Sequence, residues 1–159
     1  MAAEFSKKGL KTVELRGEVL IRKDNFDKMN KQREKDGQDV FANPRNTAAG
    51  GMRMKDPKEV AGRGLEAFIY QVGYAIDGKG KDQLDKMDTQ FGSINYLSEL
   101  GFKVPTVEKK LCKNIGEVVK FVESWGAKRE KYPYEIDGMV IKVNDLNLQK
   151  KMWRHQSSS

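Results

Sequence analysis

Cysteine and histidine are almost missing from this sequence, which has one of each, Cys112 and His155. A single thiol can build neither an internal disulfide framework nor a thiolate zinc site, so an intracellular protein held together without cross-links is expected. Cys112 reads as a packing residue, and His155 stands in a basic tail with no partner that would make it a catalyst or ligand. Long apolar runs are missing as well. None approaches the ~20 residues of a bilayer-spanning helix, and the opening MAAEFSKKGLKT lacks the apolar core of a signal peptide, so a soluble chain is expected. There is no internal repeat and no low-complexity stretch beyond the terminal SSS. What is present is 159 residues, enough for one domain or part of one, with 30 Lys and Arg against 23 Asp and Glu. The resulting charge of +7 favours polyanionic partners such as nucleic acid or nucleotide phosphates, although it is spread along the chain rather than gathered in one block.

In VELRGEVLIR, Val13, Leu15, Gly17, Val19 and Ile21 alternate with Glu14, Arg16 and Glu18, the pattern of a half-buried strand with Glu18 turned away from the core. Asp24 is positioned to cap a polar helix with Phe26 and Met29 inward, ending at Gly37 in a left-handed turn. The stretch VFANPRNTAAGG predicts a short helix capped by Asn43 with Pro44 at its first position, so that Arg45 and Asn46 lie in its exposed first turn. Asp56, Pro57 and Glu59 repeat that start. LEAFIYQVGYAI predicts a strand, central in its sheet, and FKVP a short edge strand. Phe91, Ile94, Leu97 and Leu100 predict an amphipathic helix stopped by Gly101; Asn114 and Glu117 open another, with Val118, Phe121, Val122 and Trp125 as its buried stripe. YEIDGMVIKVN predicts a last strand in which Lys142 leaves the face of Met139. Strands joined partly without helical crossovers predict an α+β fold with largely antiparallel sheets.

Glu18 and Lys142 are then two charged residues off the packed faces of two strands. A carboxylate can accept from a ribose hydroxyl, and an ammonium can neutralise a phosphate as charge builds on it, but a charged residue on a strand's polar face is more often merely solvated. The order VELRGEV, FANPRNTAAGGMR, YEIDGMVIKVND resembles the bacterial NAD-dependent DNA ligases from about Val13 to about Leu148. FANPRNTAAGG is the specific part; RGEV and VIKV alone are short strands shared with nucleotidyltransferases that use ATP or GTP.

The resemblance implies an ATP-grasp-like nucleotidyltransferase (adenylation) domain, with antiparallel sheets around a nucleotide pocket, in a cytoplasmic bacterial enzyme. It implies a lysine that attacks the α-phosphate of NAD, transfer of AMP to a 5′-phosphate at a nick in duplex DNA, and displacement of AMP by the 3′-hydroxyl, with magnesium assisting. By that resemblance Glu18 contacts the adenosine ribose, Lys142 the α-phosphate, Tyr70 lines the adenine pocket and Asp137 takes part in metal-assisted catalysis. Asp137 and Lys142 fall on opposite faces under strict alternation, so Gly138 must allow a bend if both reach one pocket. Arg45 and Arg53 are the candidates for DNA-phosphate or adenylated-end contacts, with Gly50 and Gly51 allowing close approach of backbone to phosphate.

The family's adenylated lysine belongs to Lys-x-Asp-Gly, which this sequence lacks: EKDGQ omits the intervening residue, and EIDG has Glu135 in the lysine's place. The expectation is a partial adenylation domain over 13–148, with a poorly ordered lead over 1–12 and a basic, disordered tail over 149–159. Unpaired sheet edges and self-association are expected to follow. A catalytically dead relative that binds nucleotide or DNA, or a basic nucleic-acid-binding module, are the alternatives.

Overall fold

The computed structural model describes residues 9–84 and 87–156, with side chains as far as Met152. Its elements in chain order are strand β1 (Leu10–Ile21), helices α1 (Lys23–Lys35), α2 (Pro44–Met52) and α3 (Pro57–Gly62), strand β2 (Leu65–Asp77), and helices α4 (Gln90–Glu99), α5 (Ile115–Lys131) and α6 (Leu146–Gln156). The chain divides into two compact units, each discontinuous in sequence. The first comprises residues up to Glu18, Phe68–Lys113 and the part after Met139; the second comprises Val19–Ala67 and Asn114–Met139.

In the first unit β1 pairs with β2 in a two-stranded sheet. The pairing is antiparallel: Gly78 donates to the Gly9 carbonyl at one end, while Gly17 lies against Phe68 at the other. Gly17 has a physical reason to be glycine, because a Cβ there would stand 2.5 Å from the Phe68 carbonyl oxygen. The core gathers Val72 and Ala75 of β2, Ile94 and Leu97 of α4, and Val104, with Leu10, Val13, Leu15 and Ile69 packed on it. Ile69, Val72 and Ala75 are three apart rather than two, so β2 serves this core from both of its faces. Thr89 caps α4 through the Gly92 N–H, and Gly101, with φ of 83°, ends it.

In the second unit, α1 starts two residues earlier than the sequence predicts. Arg22 occupies the cap position without a side-chain cap bond, and Asp24 sits in the first turn, paired with Arg22 at 3.0 Å. The helix ends as expected, with Gly37 at φ 66° and the Gly37 and Gln38 N–H groups closing on the Glu34 and Arg33 carbonyls. Asn43 caps α2 through the Asn46 N–H at 2.8 Å, with Pro44 in the first turn, and Asp56 caps α3 through Lys58 N–H. Asn114 caps α5, whose inward side is narrower than expected: Trp125 is buried, Val118 and Phe121 are half-buried, and Val122 is exposed. Trp125 meets Phe121 and Tyr132 edge-on, and the buried Tyr134 hydroxyl donates to Glu66 at 2.8 Å.

The expectations for three strands change. Residues 135–143 form no ladder, so the last predicted strand is not a strand in the described residues. Alternation says which faces side chains take, but a strand exists only when a neighbour lines up its N–H and C=O groups. Phe102–Pro105 likewise is not a strand in the described residues, although Ile69 N–H of β2 donates to the Lys103 carbonyl, and β2 is half of a two-stranded sheet rather than a central strand. Residues 149–156 of the basic tail are helical, the continuation of α6, and residues 10–12 of the lead belong to β1; residues 1–8 and 157–159 lie outside the described residues. The coarse expectation, mixed helix and antiparallel strand, holds.

Candidate functional site

In the first unit the structure brings together two of the residues singled out in the sequence. The Lys142 ammonium lies 4.9 Å from the centroid of the Tyr70 ring. A ladder does not hold Lys142 there; a latch two residues further on does. The Asn144 carbonyl accepts from Gln90 N–H at 2.8 Å and its side-chain oxygen accepts from Phe91 N–H at 3.0 Å, so Asn144 occupies two of the donors that open α4. Gln90 is buried and donates to the Tyr70 carbonyl at 2.8 Å, while Gln149 of α6 donates to the carbonyl of Val143. Tyr70 and Lys142, 72 positions apart in sequence, are thus tied to the same helix end, Tyr70 through the Gln90 side chain and the Lys142 segment through the Gln90 and Phe91 N–H groups. Partial burial, and then the nearby Arg16 guanidinium, hold the Lys142 ammonium below the usual lysine range. Such a cation gains from an added anion.

In the second unit the cap of α2 delivers Arg45 into solvent, where its Nη1 pairs with Asp137 Oδ2 at 2.8 Å. Both side chains are exposed, at 77% and 81%. Gly138 shows neither a positive φ nor a close neighbour, so its expected bend has no glycine-only conformation behind it. The paired glycines of the motif also find a different use. A Cβ at Gly51 would meet Leu65 at 3.1 Å and the Arg63 stem at 3.2 Å, so Gly51 makes room for protein side chains. At Gly50 the nearest atom, from Arg63, is at 3.8 Å, an ordinary contact.

Of the residues singled out in the sequence, Tyr70 meets Lys142 and Arg45 meets Asp137, whereas Glu18 and Arg53 are exposed and take no part in either contact. Arg53 ends α2, its N–H bonded to the Gly50 carbonyl. Gln90, Asn144 and Arg63 were not anticipated. Asn144 could be read from its place beside VIKV, but nothing local in the sequence marks Gln90 or Arg63. Among the described residues no three His, Cys, Asp or Glu side chains converge as metal ligands, and no helix is long and apolar enough to cross a membrane.

One unit holds a partly desolvated lysine against a tyrosine ring and the other an arginine in the first turn of a capped helix, and comparison with known proteins gives the family. Residues 2–157 match the NAD-dependent DNA ligase adenylation domain, and the chain belongs to that family. It is similar to the DNA ligase of Persephonella marina, 54% identical over 93% of this chain and 21% of that protein. It is also similar to the DNA ligases of a Sulfurihydrogenibium species, 53% identical over 96% of this chain and 22% of that protein, and of Aquifex aeolicus, 50% identical over 94% and 20%. The chain therefore spans about one-fifth of the length of the relatives it matches.

Proposed function

We propose that this chain supplies part of the nucleotide site, and part of the nick-facing surface, of an NAD-dependent DNA ligase. The observation that carries the reading is the partly desolvated Lys142 ammonium held on the Tyr70 ring, in a chain of the adenylation family. An aromatic quadrupole compensates a cation only partially, whereas a phosphate oxygen brings a full charge, so an α-phosphate is the better partner for Lys142. Tyr70, relieved of the ammonium, offers its face to adenine, and Glu18 is the acceptor for the ribose hydroxyls. In the first step a lysine amine attacks the α-phosphorus, the bond to nicotinamide mononucleotide breaks, and Lys142 neutralises charge that grows on the phosphoryl oxygens. AMP then passes to the 5′-phosphate of nicked duplex DNA and is displaced by the 3′-hydroxyl.

The exposed Arg45–Asp137 pair suits the later steps because such a pair holds its partners weakly. Arg45 can exchange the carboxylate for a DNA or adenylate phosphate, and Arg53 can join it there. Magnesium, when bound, supplies charge neutralisation at the transferring phosphate; one carboxylate such as Asp137 together with phosphate oxygens is an ordinary set of donors for it. The finer fold implied is the nucleotidyltransferase adenylation fold, and the compartment is the bacterial cytoplasm.

The sequence holds no Lys-x-Asp-Gly, so the attacking lysine of this proposal is not in the chain. The test is intact-mass measurement after incubation with NAD and magnesium, applied both to this chain and to a full-length ligase containing it. The full-length protein is expected to gain one AMP and this chain none; a stable AMP adduct on this chain, or none on the full-length enzyme, overturns the reading.

A further inference from the structure

Two guanidinium groups lie over one ring in the second unit: Arg33 of α1 is 4.4 Å and Arg63 4.9 Å from the centroid of Phe41. Bringing two cations to one ring costs repulsion, and here each guanidinium also donates to a carbonyl, Arg33 to Asp39 and Arg63 to Thr47 at 3.2 Å. Asn30 of α1 fixes the backbone of Phe41 from both sides, accepting from its N–H at 2.8 Å and donating to its carbonyl at 3.0 Å. The stem of Arg63 packs against Gly51 one turn further along α2. Three segments, α1, the connection through Phe41, and the residue after α3, are thus joined to α2 at Thr47 and Gly51. Among the described residues the Arg45 side chain has only an exposed ion pair, so its place depends on where α2 is held.

We propose that Arg63 is a positioning residue: by lying over Phe41 and holding the Thr47 carbonyl it fixes the helix start that presents Arg45. The task needs a guanidinium, since its spread of N–H groups lets it lie over the ring and donate to the Thr47 carbonyl at once, whereas the single nitrogen of an ammonium would have to choose between them. The part of this inference that concerns nick sealing rests on the function proposed above; the part that concerns α2 does not.

The test has two arms. In the 159-residue chain, amide hydrogen exchange is followed in the wild type, Arg63→Ala, Arg63→Lys and Phe41→Leu, the last keeping apolar bulk should an Arg63 variant fail to fold. All three variants are expected to raise exchange at Asn46 and Thr47 by about tenfold while α5 of the same unit keeps its protection. Unchanged α2 exchange, an equal rise throughout the unit, or wild-type behaviour of Arg63→Lys overturns the proposal. In the full-length ligase, sealing of a nick supplied already adenylated is compared for Arg45→Ala, Arg63→Lys and the double variant. The double variant is expected to seal no more slowly than Arg45→Ala, because Arg63 acts through Arg45; losses that multiply overturn that dependence. If Arg45→Ala seals at the wild-type rate, the nick-facing reading of Arg45 falls, and the exchange arm still decides the role of Arg63.

Discussion

Tyr70 with Lys142 and Arg45 with Asp137 are both cation contacts between residues far apart in sequence, yet they are held in opposite ways. The first is fixed by a buried glutamine, an asparagine with two bonds to a helix end, and partial loss of water around the ammonium. The second is a direct ion pair in solvent, and its geometry comes from the elements that carry it rather than from the pair. Buried hydrogen bonds are costly to break and exposed ion pairs are cheap to exchange. The difference therefore separates two segments anchored by hydrogen bonds, whose ammonium and ring can still turn to a ligand, from a pair whose own contact is all that joins its two side chains.

The largest effect expected is on the first contact. In a full-length ligase, Lys142→Ala should slow single-turnover adenylation on the order of 10²-fold while changing NAD affinity much less, since the lost charge matters most as the transition state forms. An unchanged rate would make Lys142 a surface lysine and erase the distinction between the two contacts. The depressed pKa of Lys142 has a stability signature of its own. Between the folded value and the ordinary ~10.4, the unfolded chain binds more protons than the native one, so stability rises with pH across that window. Denaturant titration of this chain should show the rise flattened in Lys142→Gln.

A smaller effect is expected at the latch. Asn144→Ala keeps the backbone bond from Gln90 N–H but leaves the Phe91 N–H at the start of α4 without its side-chain acceptor, at a cost of about 1–3 kcal/mol in a urea titration. Loss of tyrosine-ring shifts at the Lys142 methylenes in the proton spectrum should accompany it; retention of those shifts would show that Lys142 is held by something else. The smallest effect belongs to the second contact. Asp137→Asn should leave the urea midpoint unmoved, as expected of an exposed pair, and a clear loss of stability would show the pair to be structural after all.

What the sequence revealed and what it concealed divide along physical lines. The caps Asn43, Asp56 and Asn114, and the turns at Gly37 and Gly101, were legible because each acts on backbone within a few residues of itself. Both contacts of the candidate site join residues named in advance, Lys142 and Arg45 from local pattern but Tyr70 and Asp137 only from the resemblance to a family. Lys142 was misplaced on a strand because alternation carries no information about partners. Gln90 and Arg63 stayed hidden since their work is done on Tyr70 and Thr47, 20 and 16 positions away. Gly51 was assigned to phosphate approach, and its tight neighbours turned out to be Leu65 and Arg63.

The two discontinuous units bear on how the chain comes to fold. The polypeptide passes from one to the other at Glu18–Val19, Ala67–Phe68, Lys113–Asn114 and Met139–Val140, so no contiguous stretch encodes either unit alone. As the chain emerges during synthesis, the second unit must wait for α5 and Tyr134, and the first for the Asn144 latch, which comes later still. Closing such long loops costs entropy before any contact returns it, which favours slow, late acquisition of structure. The Lys142 contact should then be among the last to form, and cutting this stretch into shorter contiguous pieces should yield neither unit.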